Sequence, residues 1–277
     1  MKSLALILII FLISSCTDEI TIYRGDGTQI NIFLVKDGQL DYYNPEETDL
    51  ESLELEGSPW LKHSEIEFYD WSAHTFYLKN EKTKGNHGQY FVLKADKKPL
   101  FIGFFYSMIM SYIPSCPTIL TDGFFYPKDL ISLNPYGYRQ NEDLTPLNSD
   151  FRKNIENSGL LREGISVELI SLKRKNSSTL TYSYKVTNLD SEKIYILDPK
   201  MMGASRFHYY TNGIYLNKGD KRYYADDFET TSSDKISSNW YFRLSPGKSI
   251  TRTVELNGYT SLPTGTVKAS FRFPGAS

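Results

Sequence analysis

Residues 180–188 read LTYSYKVTN, and this stretch decides the fold class of the 277-residue chain. Apolar and polar side chains alternate along it, with Leu180, Tyr182, Tyr184 and Val186 on one side. Successive side chains of a β-strand point to opposite faces, so the alternation predicts a strand with one buried face. Its aromatic and β-branched residues are also typical of strands.

Similar segments lie on both sides of this stretch. They are found at residues 165–169, 194–197, 207–210, 214–216, 240–244, 250–256 and 266–273. Between two of them, Thr211-Asn212-Gly213 has the composition of a hairpin turn. About seven short strands with a turn roughly every ten residues predict a β-sandwich over residues 164–277.

Three short motifs in this half resemble landmarks of bacterial immunoglobulin-like domains. They are Tyr184-Lys185-Val186-Thr187-Asn188, Leu244-Ser245-Pro246-Gly247 and Leu262-Pro263-Thr264-Gly265. In those domains a strand ends in asparagine, a later turn reads Leu-x-Pro-Gly, and the last strand follows Pro-x-Gly; the intracellular proteinase-inhibitor family has a similar run. The resemblance implies an immunoglobulin-like sandwich and leaves the activity open, because such sandwiches have many functions.

The preceding residues, 23–163, predict a second β-rich module. Its clearest strands are expected at residues 30–34, 65–68, 75–78, 89–94 and 100–106. The last two are joined by Asp96-Lys97-Lys98-Pro99 and predict a hairpin. Their nearly continuous apolar content indicates a central position in the sheet, with burial on both faces.

One helix is predicted at the end of this module, over residues 148–158. Leu147, Phe151 and Ile155 recur at every fourth residue and would line one face. Asp150 suits the positive end of the helix, and Gly159 suits its termination. We expect the helix to lie at the boundary between the module at 23–163 and the sandwich at 164–277.

Residues 1–15 have the pattern of a secretory signal peptide. Lys2 supplies the positive charge, residues 4–13 are continuously apolar, and two small residues, Ser14 and Ser15, follow. The apolar run is too short to cross a bilayer, because a spanning helix takes about 20 apolar residues.

The motif Ile13-Ser14-Ser15-Cys16 resembles the lipobox of bacterial lipoproteins. The resemblance implies cleavage before Cys16, a diacylglyceryl group on its thiol and an acyl chain such as palmitate on the new amino terminus. Residues 16–22 would then be the lipidated cysteine and its tether. No aspartate follows Cys16 directly, which implies an outer-membrane location, facing either the periplasm or the cell surface. The alternative is an ordinary signal peptide followed by a chance cysteine.

Composition limits the expected partners and chemistry. Lys and Arg number 31 against 33 Asp and Glu, so no strongly basic face and no nucleic acid partner are expected. With Cys16 lipidated, Cys116 is left alone, which excludes a disulfide within the monomer. The 4 histidines lack the spacing of metal ligands, and neither a metal site nor a cofactor is predicted.

One catalytic set is a candidate, with Asp70 as the orienting acid, His74 as the base and Cys116 as the nucleophile. No recognisable motif surrounds Cys116, and a lone cysteine commonly behaves as a small buried apolar residue. We therefore predict that the protein is not an enzyme.

Aromatic and basic residues gather around the predicted hairpin near residue 212. Tyrosine and arginine suit contact with proteins or sugars, because they bring a large contact area at modest entropic cost. The alternative is that half of them belong to the core and the rest are scattered over the surface. The candidate binding residues are Tyr209, Tyr210, Tyr215, Arg222, Tyr223 and Tyr224.

The sequence as a whole predicts a lipid-anchored cell-envelope protein that acts as a non-catalytic binding or assembly module. Its expected partners are the membrane, through the N-terminal lipid, and a protein or a glycan. Two alternatives are an inhibitor or immunity protein directed against an envelope hydrolase, and an envelope hydrolase itself.

Overall fold

The computed structural model describes most of the chain after the leader. The residues described are 23–38, 40, 45, 48–107, 109–111, 114–121, 127–134, 149–204, 207, 214–223, 225 and 240–271. Across these residues the protein is mainly β, with several sheets and two helices, which confirms the predicted fold class.

The N-terminal half forms one eight-stranded sheet in the order β1-β4-β5-β6-β7-β3-β2-β8. Strands β5 and β6 are parallel, as are β2 and β8, and the other neighbours are antiparallel. The strands are β1 (Ile30–Leu34), β2 (Ile66–Asp70), β3 (Thr75–Leu78), β4 (Tyr90–Ala95), β5 (Lys98–Tyr106), β6 (Thr118–Leu120), β7 (Leu130–Asn134) and β8 (Leu161–Arg162).

The predicted hairpin of β4 and β5 is confirmed and lies inside this sheet. Its turn is Asp96-Lys97, and Asp96 adopts a positive φ of 53°, which aspartate tolerates better than most residues. Phe91 and Phe105 belong to one hydrophobic cluster, whereas Val92 and Phe104 belong to another. Neighbouring residues of each strand therefore enter different clusters, and the sheet is buried on both faces here, as predicted.

The sheet curls so that its first strand meets the segment leading into β2. Ile32 and Leu61 exchange two backbone hydrogen bonds, with N···O distances of 2.9 and 3.2 Å. A short 3-10 turn at His63–Glu65 separates this contact from β2. The backbone groups on that edge of β1 are thereby satisfied, which protects the edge from pairing with another chain.

The predicted helix is confirmed as α1, Ser149–Asn157. Phe151 and Ile155 are buried against the sheet, and Gly159 follows the helix with a φ of +76°. The start of the described chain crosses the end of this helix, where the N–H of Asp26 donates to the carbonyl of Asn157 at 2.6 Å.

The C-terminal half contains three small sheets, ordered β15-β10-β9, β11-β14 and β13-β12-β16. The strands are β9 (Ile165–Arg174), β10 (Leu180–Asn188), β11 (Ile194–Leu197), β12 (Ile214–Lys218), β13 (Lys221–Tyr223), β14 (Tyr241–Leu244), β15 (Ser249–Leu256) and β16 (Lys268–Phe271); helix α2 is Pro199–Met202.

Strand β10 is the stretch that predicted the fold, and its side chains are alternately buried and partly exposed as expected. Tyr182 and Tyr184 lie with ring centroids 5.5 and 5.1 Å from that of Phe271 on β16. All three small sheets contribute to one hydrophobic cluster. This packing of sheet against sheet is compatible with a β-sandwich.

The two halves share a continuous core. Phe68, Tyr77 and Leu130 lie on three strands of the N-terminal sheet but belong to the hydrophobic cluster of the C-terminal half. The N–H of Tyr195 donates to the hydroxyl of Tyr77 at 2.8 Å, and the two rings are stacked with centroids 6.0 Å apart. The halves are thus joined by apolar packing as well as by the connecting chain.

One predicted strand is wrong where the structure describes it. Phe207, expected to begin a strand, is helical instead. Its N–H donates to the carbonyl of Gly203 at 2.9 Å. The reason is that helix α2 precedes this residue and favours helical backbone there. The start of α2 is itself favoured, because Asp198 caps it and Pro199 occupies the first helical position. The turn predicted at residues 211–213 lies outside the described residues, and β12 forms its hairpin with β13.

Candidate functional site

The predicted aromatic and basic group is described in part. Tyr215, Arg222 and Tyr223 lie on the hairpin of β12 and β13, whereas Tyr209, Tyr210 and Tyr224 lie outside the described residues. Cys16, the predicted lipidation site, lies outside them as well. The part of the candidate site that the structure describes is therefore the hairpin of β12 and β13, with strand β16 beside it.

The hairpin register divides the predicted residues between the two faces of the sheet. Ile214 and Leu216 are buried, so the intervening Tyr215 faces away from the core. Tyr223 is opposite Leu216 and packs against the core, whereas Arg222 is opposite Asn217 and faces outward. The structure therefore brings Tyr215 and Arg222 together and places Tyr223 on the other face.

Arg222 is stacked on Tyr215. Its guanidinium carbon lies 4.4 Å from the centroid of the tyrosine ring. A cation over an aromatic ring at this distance is attracted by about 0.5–1 kcal/mol when the pair is exposed. The contact holds the guanidinium plane over the sheet rather than leaving it free in solvent.

Strand β16 completes the same surface. Lys268 is opposite Asn217 and Ser270 is opposite Tyr215, so both share the outward face. Neither Lys268 nor Arg222 forms an ion pair with the residues that the structure describes, and both side chains are exposed. We call the set Tyr215, Asn217, Arg222, Lys268 and Ser270 the outer face.

The sequence does not predict that Lys268 and Ser270 belong to the candidate site. Residues 268–271 read KASF and alternate weakly, which predicts a strand without naming its partner. The register between β12 and β16 joins residues about fifty positions apart, and no local pattern specifies such a pairing.

The three residues of the candidate catalytic set lie in two places: Asp70 and His74 are at the turn between β2 and β3, whereas Cys116 is in a separate hydrophobic cluster. His74 lies in the turn between β2 and β3, with its Nδ1 3.1 Å from the hydroxyl of Tyr69. One carboxylate oxygen of Asp70 accepts hydrogen bonds within the same turn, from Ser72 and Ala73. Cys116 is fully buried in the hydrophobic cluster that contains Val92 and Phe104.

Asp70 nevertheless has an unusual environment, because it is buried where the two halves meet. Its Oδ2 has no hydrogen-bond partner, and burial raises the pKa of its carboxyl to about 6. Ser72 links it to the second half, since its hydroxyl donates to Asp70 and accepts the N–H of Ile165 at 3.0 Å. Nearby, Asp190 accepts the N–H groups of Glu163 and Gly164.

Gly164 fits tightly between these groups. It has a φ of +85°, and a Cβ built on it would lie 2.1 Å from Oδ1 of Asp70 and 2.2 Å from the hydroxyl of Ser72. Only glycine meets both requirements, because it tolerates this backbone conformation and has no side chain. The arrangement holds the connecting chain against the turn, which is a structural role.

Neither a cluster of metal ligands nor a membrane-spanning helix is found in the part of the chain that the structure describes. There, no group of three or more His, Cys, Asp or Glu side chains is placed to hold a metal ion. None of the helices described has the length and apolar content required to span a membrane.

Comparison with known proteins gives no match, whether against protein-family models, curated proteins or solved structures.

Proposed function

We propose that this protein is a lipid-anchored component of the bacterial cell envelope that acts as a non-catalytic binding or assembly module. The leader at residues 1–15 and the lipobox-like motif ending at Cys16 support the anchor and the outer-membrane location. Acyl chains on that cysteine would hold the protein at the membrane, because each buried methylene contributes about 0.8 kcal/mol and two or more chains make the attachment stable.

The binding role is supported by one observation, the stacking of Arg222 on Tyr215 on an exposed sheet face. An arginine held in place by an aromatic ring loses little rotamer freedom when it meets a partner. Arginine and tyrosine are also the side chains that most often dominate binding energy at interfaces. The outer face is therefore a part of the described surface that suits a partner.

The anchor is tested by replacing each cysteine in turn in the full chain. Cys16→Ala should shift the protein from the membrane fraction to the soluble fraction, because the lipid attachment is lost. Cys116→Ala is the matched control and should leave it in the membrane, since Cys116 is buried and distant in sequence from the leader. Membrane retention of the Cys16→Ala protein would contradict lipidation.

The binding role is tested by placing a photo-crosslinking amino acid at Ser270, on the outer face, in intact cells. The control carries it at Ser166, an exposed residue of β9 on another sheet. A specific adduct from position 270 and none from position 166 is the expected result. Equal labelling at the two positions, or the absence of any adduct at position 270, whether to a protein or to a glycan, would contradict a binding role for the outer face.

A further inference from the structure

The outer face combines two cations with neutral hydrogen-bonding groups in a fixed order across three strands. Arg222 on β13 and Lys268 on β16 lie on either side of Asn217 on the central strand β12. Adjacent strands are about 4.8 Å apart, so the backbone positions of the two cationic residues are about 10 Å apart. Tyr215 and Ser270 form the neighbouring row of the same face.

We propose that the outer face binds an acidic polysaccharide, with sugar carboxylates meeting Arg222 and Lys268 while Asn217 and Ser270 bond to hydroxyl groups. The inference rests on the proposed binding role and specifies its ligand. The guanidinium of Arg222 suits a carboxylate in particular, because its planar fork of N–H groups matches the two carboxylate oxygens. The contact with Tyr215 restrains the position of the guanidinium in advance.

Charge supports an anionic ligand. Two cations, Arg222 and Lys268, lie on the outer face, and none of the five residues of that face is acidic. The whole chain has a formal net charge of −2, so these positive charges are a local feature. Such a patch attracts anionic partners over distances of about a Debye length.

The make-up of the face favours a glycan over other anionic partners. A protein interface is usually centred on apolar or aromatic side chains that fit pockets, and a membrane-binding surface needs apolar side chains to enter the lipid. The outer face has polar side chains around a single tyrosine ring, and the adjacent residues Ile214 and Leu216 are turned inward. Hydroxyl, amide and cationic groups side by side on one sheet face suit a chain of hydroxylated, charged sugars.

The test uses the purified full chain in detergent and an oligogalacturonate as the probe. Its methyl-esterified form, which has the same sugars without the charge, serves as the matched ligand. Calorimetry should show binding to the acid form that weakens as salt is raised, and at least about tenfold weaker binding of the ester. Arg222→Gln and Lys268→Gln should each weaken binding to the acid form by about tenfold.

Lys221→Gln is the control for charge alone. Lys221 is adjacent to Arg222 in sequence, but it lies opposite Lys218 in the strand register and on the other face of the hairpin. Its replacement should change the affinity by less than about twofold. Equal losses in the Lys221→Gln and Arg222→Gln proteins would overturn the assignment, because binding would then follow total charge rather than the outer face.

Two results separate this inference from the proposed function. If the acid oligomer does not bind while a crosslinker at Ser270 captures a protein, the glycan assignment is overturned and the binding role is kept. If the oligomer binds but the crosslinker at Ser270 captures no protein, the result supports a glycan as the partner of the outer face.

Discussion

Asp70 and Asp198 are both buried, the first where the two halves meet and the second inside the C-terminal half, yet their pKa values move in opposite directions. Burial is the largest influence on each and raises the pKa. At Asp198, hydrogen bonds from Arg252 and from the N–H of Lys200 outweigh burial and lower the pKa. At Asp70, the bonds from Ser72 and Ala73 do not, and the pKa rises to about 6.

Each carboxylate accepts three hydrogen bonds, so the difference lies in which oxygens they reach and in whether a cation supplies them. Arg252 bonds both oxygens of Asp198, at 2.8 and 2.6 Å, so that neither lacks a partner. All the donors to Asp70 reach one oxygen, and the other has none. A buried aspartate is therefore held charged when a cation bonds both of its oxygens, and is driven towards its neutral form when one oxygen is buried without a partner.

The largest effect is expected from Arg252→Ala, which makes Asp198 resemble Asp70. It leaves a buried carboxylate without its cation, which typically costs about 3–5 kcal/mol in the free energy of unfolding. Urea denaturation at neutral pH measures the loss. Arg174→Ala is the control, because Arg174 is an exposed residue of β9, and it should cost less than about 1 kcal/mol. A loss below about 1 kcal/mol for Arg252→Ala would contradict the pairing argument.

A smaller loss is expected from Gly164→Ala, which crowds Asp70 directly. Its Cβ would overlap Oδ1 of Asp70 and strain a backbone with φ of +85°, so we expect a loss of about 2–3 kcal/mol. Gly265→Ala is the matched control, since Gly265 has a φ of +79° and no atom within 4 Å of its ideal Cβ. It should cost only the backbone strain, about 1 kcal/mol. Equal losses in both variants would show that crowding at Asp70 is unimportant.

The smallest effect concerns pH. Because the pKa of Asp70 is raised from 3.8 to about 6 on folding, the folded state binds its proton more tightly. Its stabilising contribution is complete below about pH 4 and is lost as the pH rises through 6. The raised pKa of Asp190 acts in the same direction, and the lowered pKa of Asp198 acts oppositely, below pH 4.

Asp70→Asn removes this titration, and its stability should vary less between pH 4 and 7 than that of the unchanged protein. Denaturation midpoints at several pH values provide the measurement. Asp220→Asn, in the exposed turn of the β12–β13 hairpin, should leave the pH profile unaltered. A steep fall that persists in the Asp70→Asn protein would assign the pH dependence to another group.

The elements predicted correctly from the sequence are those with a strong local pattern. The alternation of residues 180–188, the hairpin of β4 and β5 and the helix with Phe151 and Ile155 all carry their signal within about ten residues. Their burial follows from the same spacing, because an apolar face of period two or near four must be covered.

The features that escaped prediction depend on partners far away in the sequence. The turn after β2 indicates nothing about a buried carboxylate at Asp70, which becomes buried only when Gly164 and Asp190 pack against it. Asp198 directly follows strand β11, but its partner Arg252 lies 54 positions away. Of the outer face, the sequence predicts Tyr215 and Arg222. Lys268 and Ser270 join them only through the pairing of β12 with β16, which the sequence does not predict.

The first described residues have a mechanical consequence for a chain attached at Cys16, as proposed. Residues 17–22 can extend by no more than about 25 Å, so the folded body would stay close to the membrane. Any pull on the anchor enters the fold at Tyr23, whose hydroxyl donates to Glu163, and at Asp26, which is bonded to the end of helix α1. Glu163 directly precedes Gly164 at the junction of the two halves. Tension would therefore load that junction first.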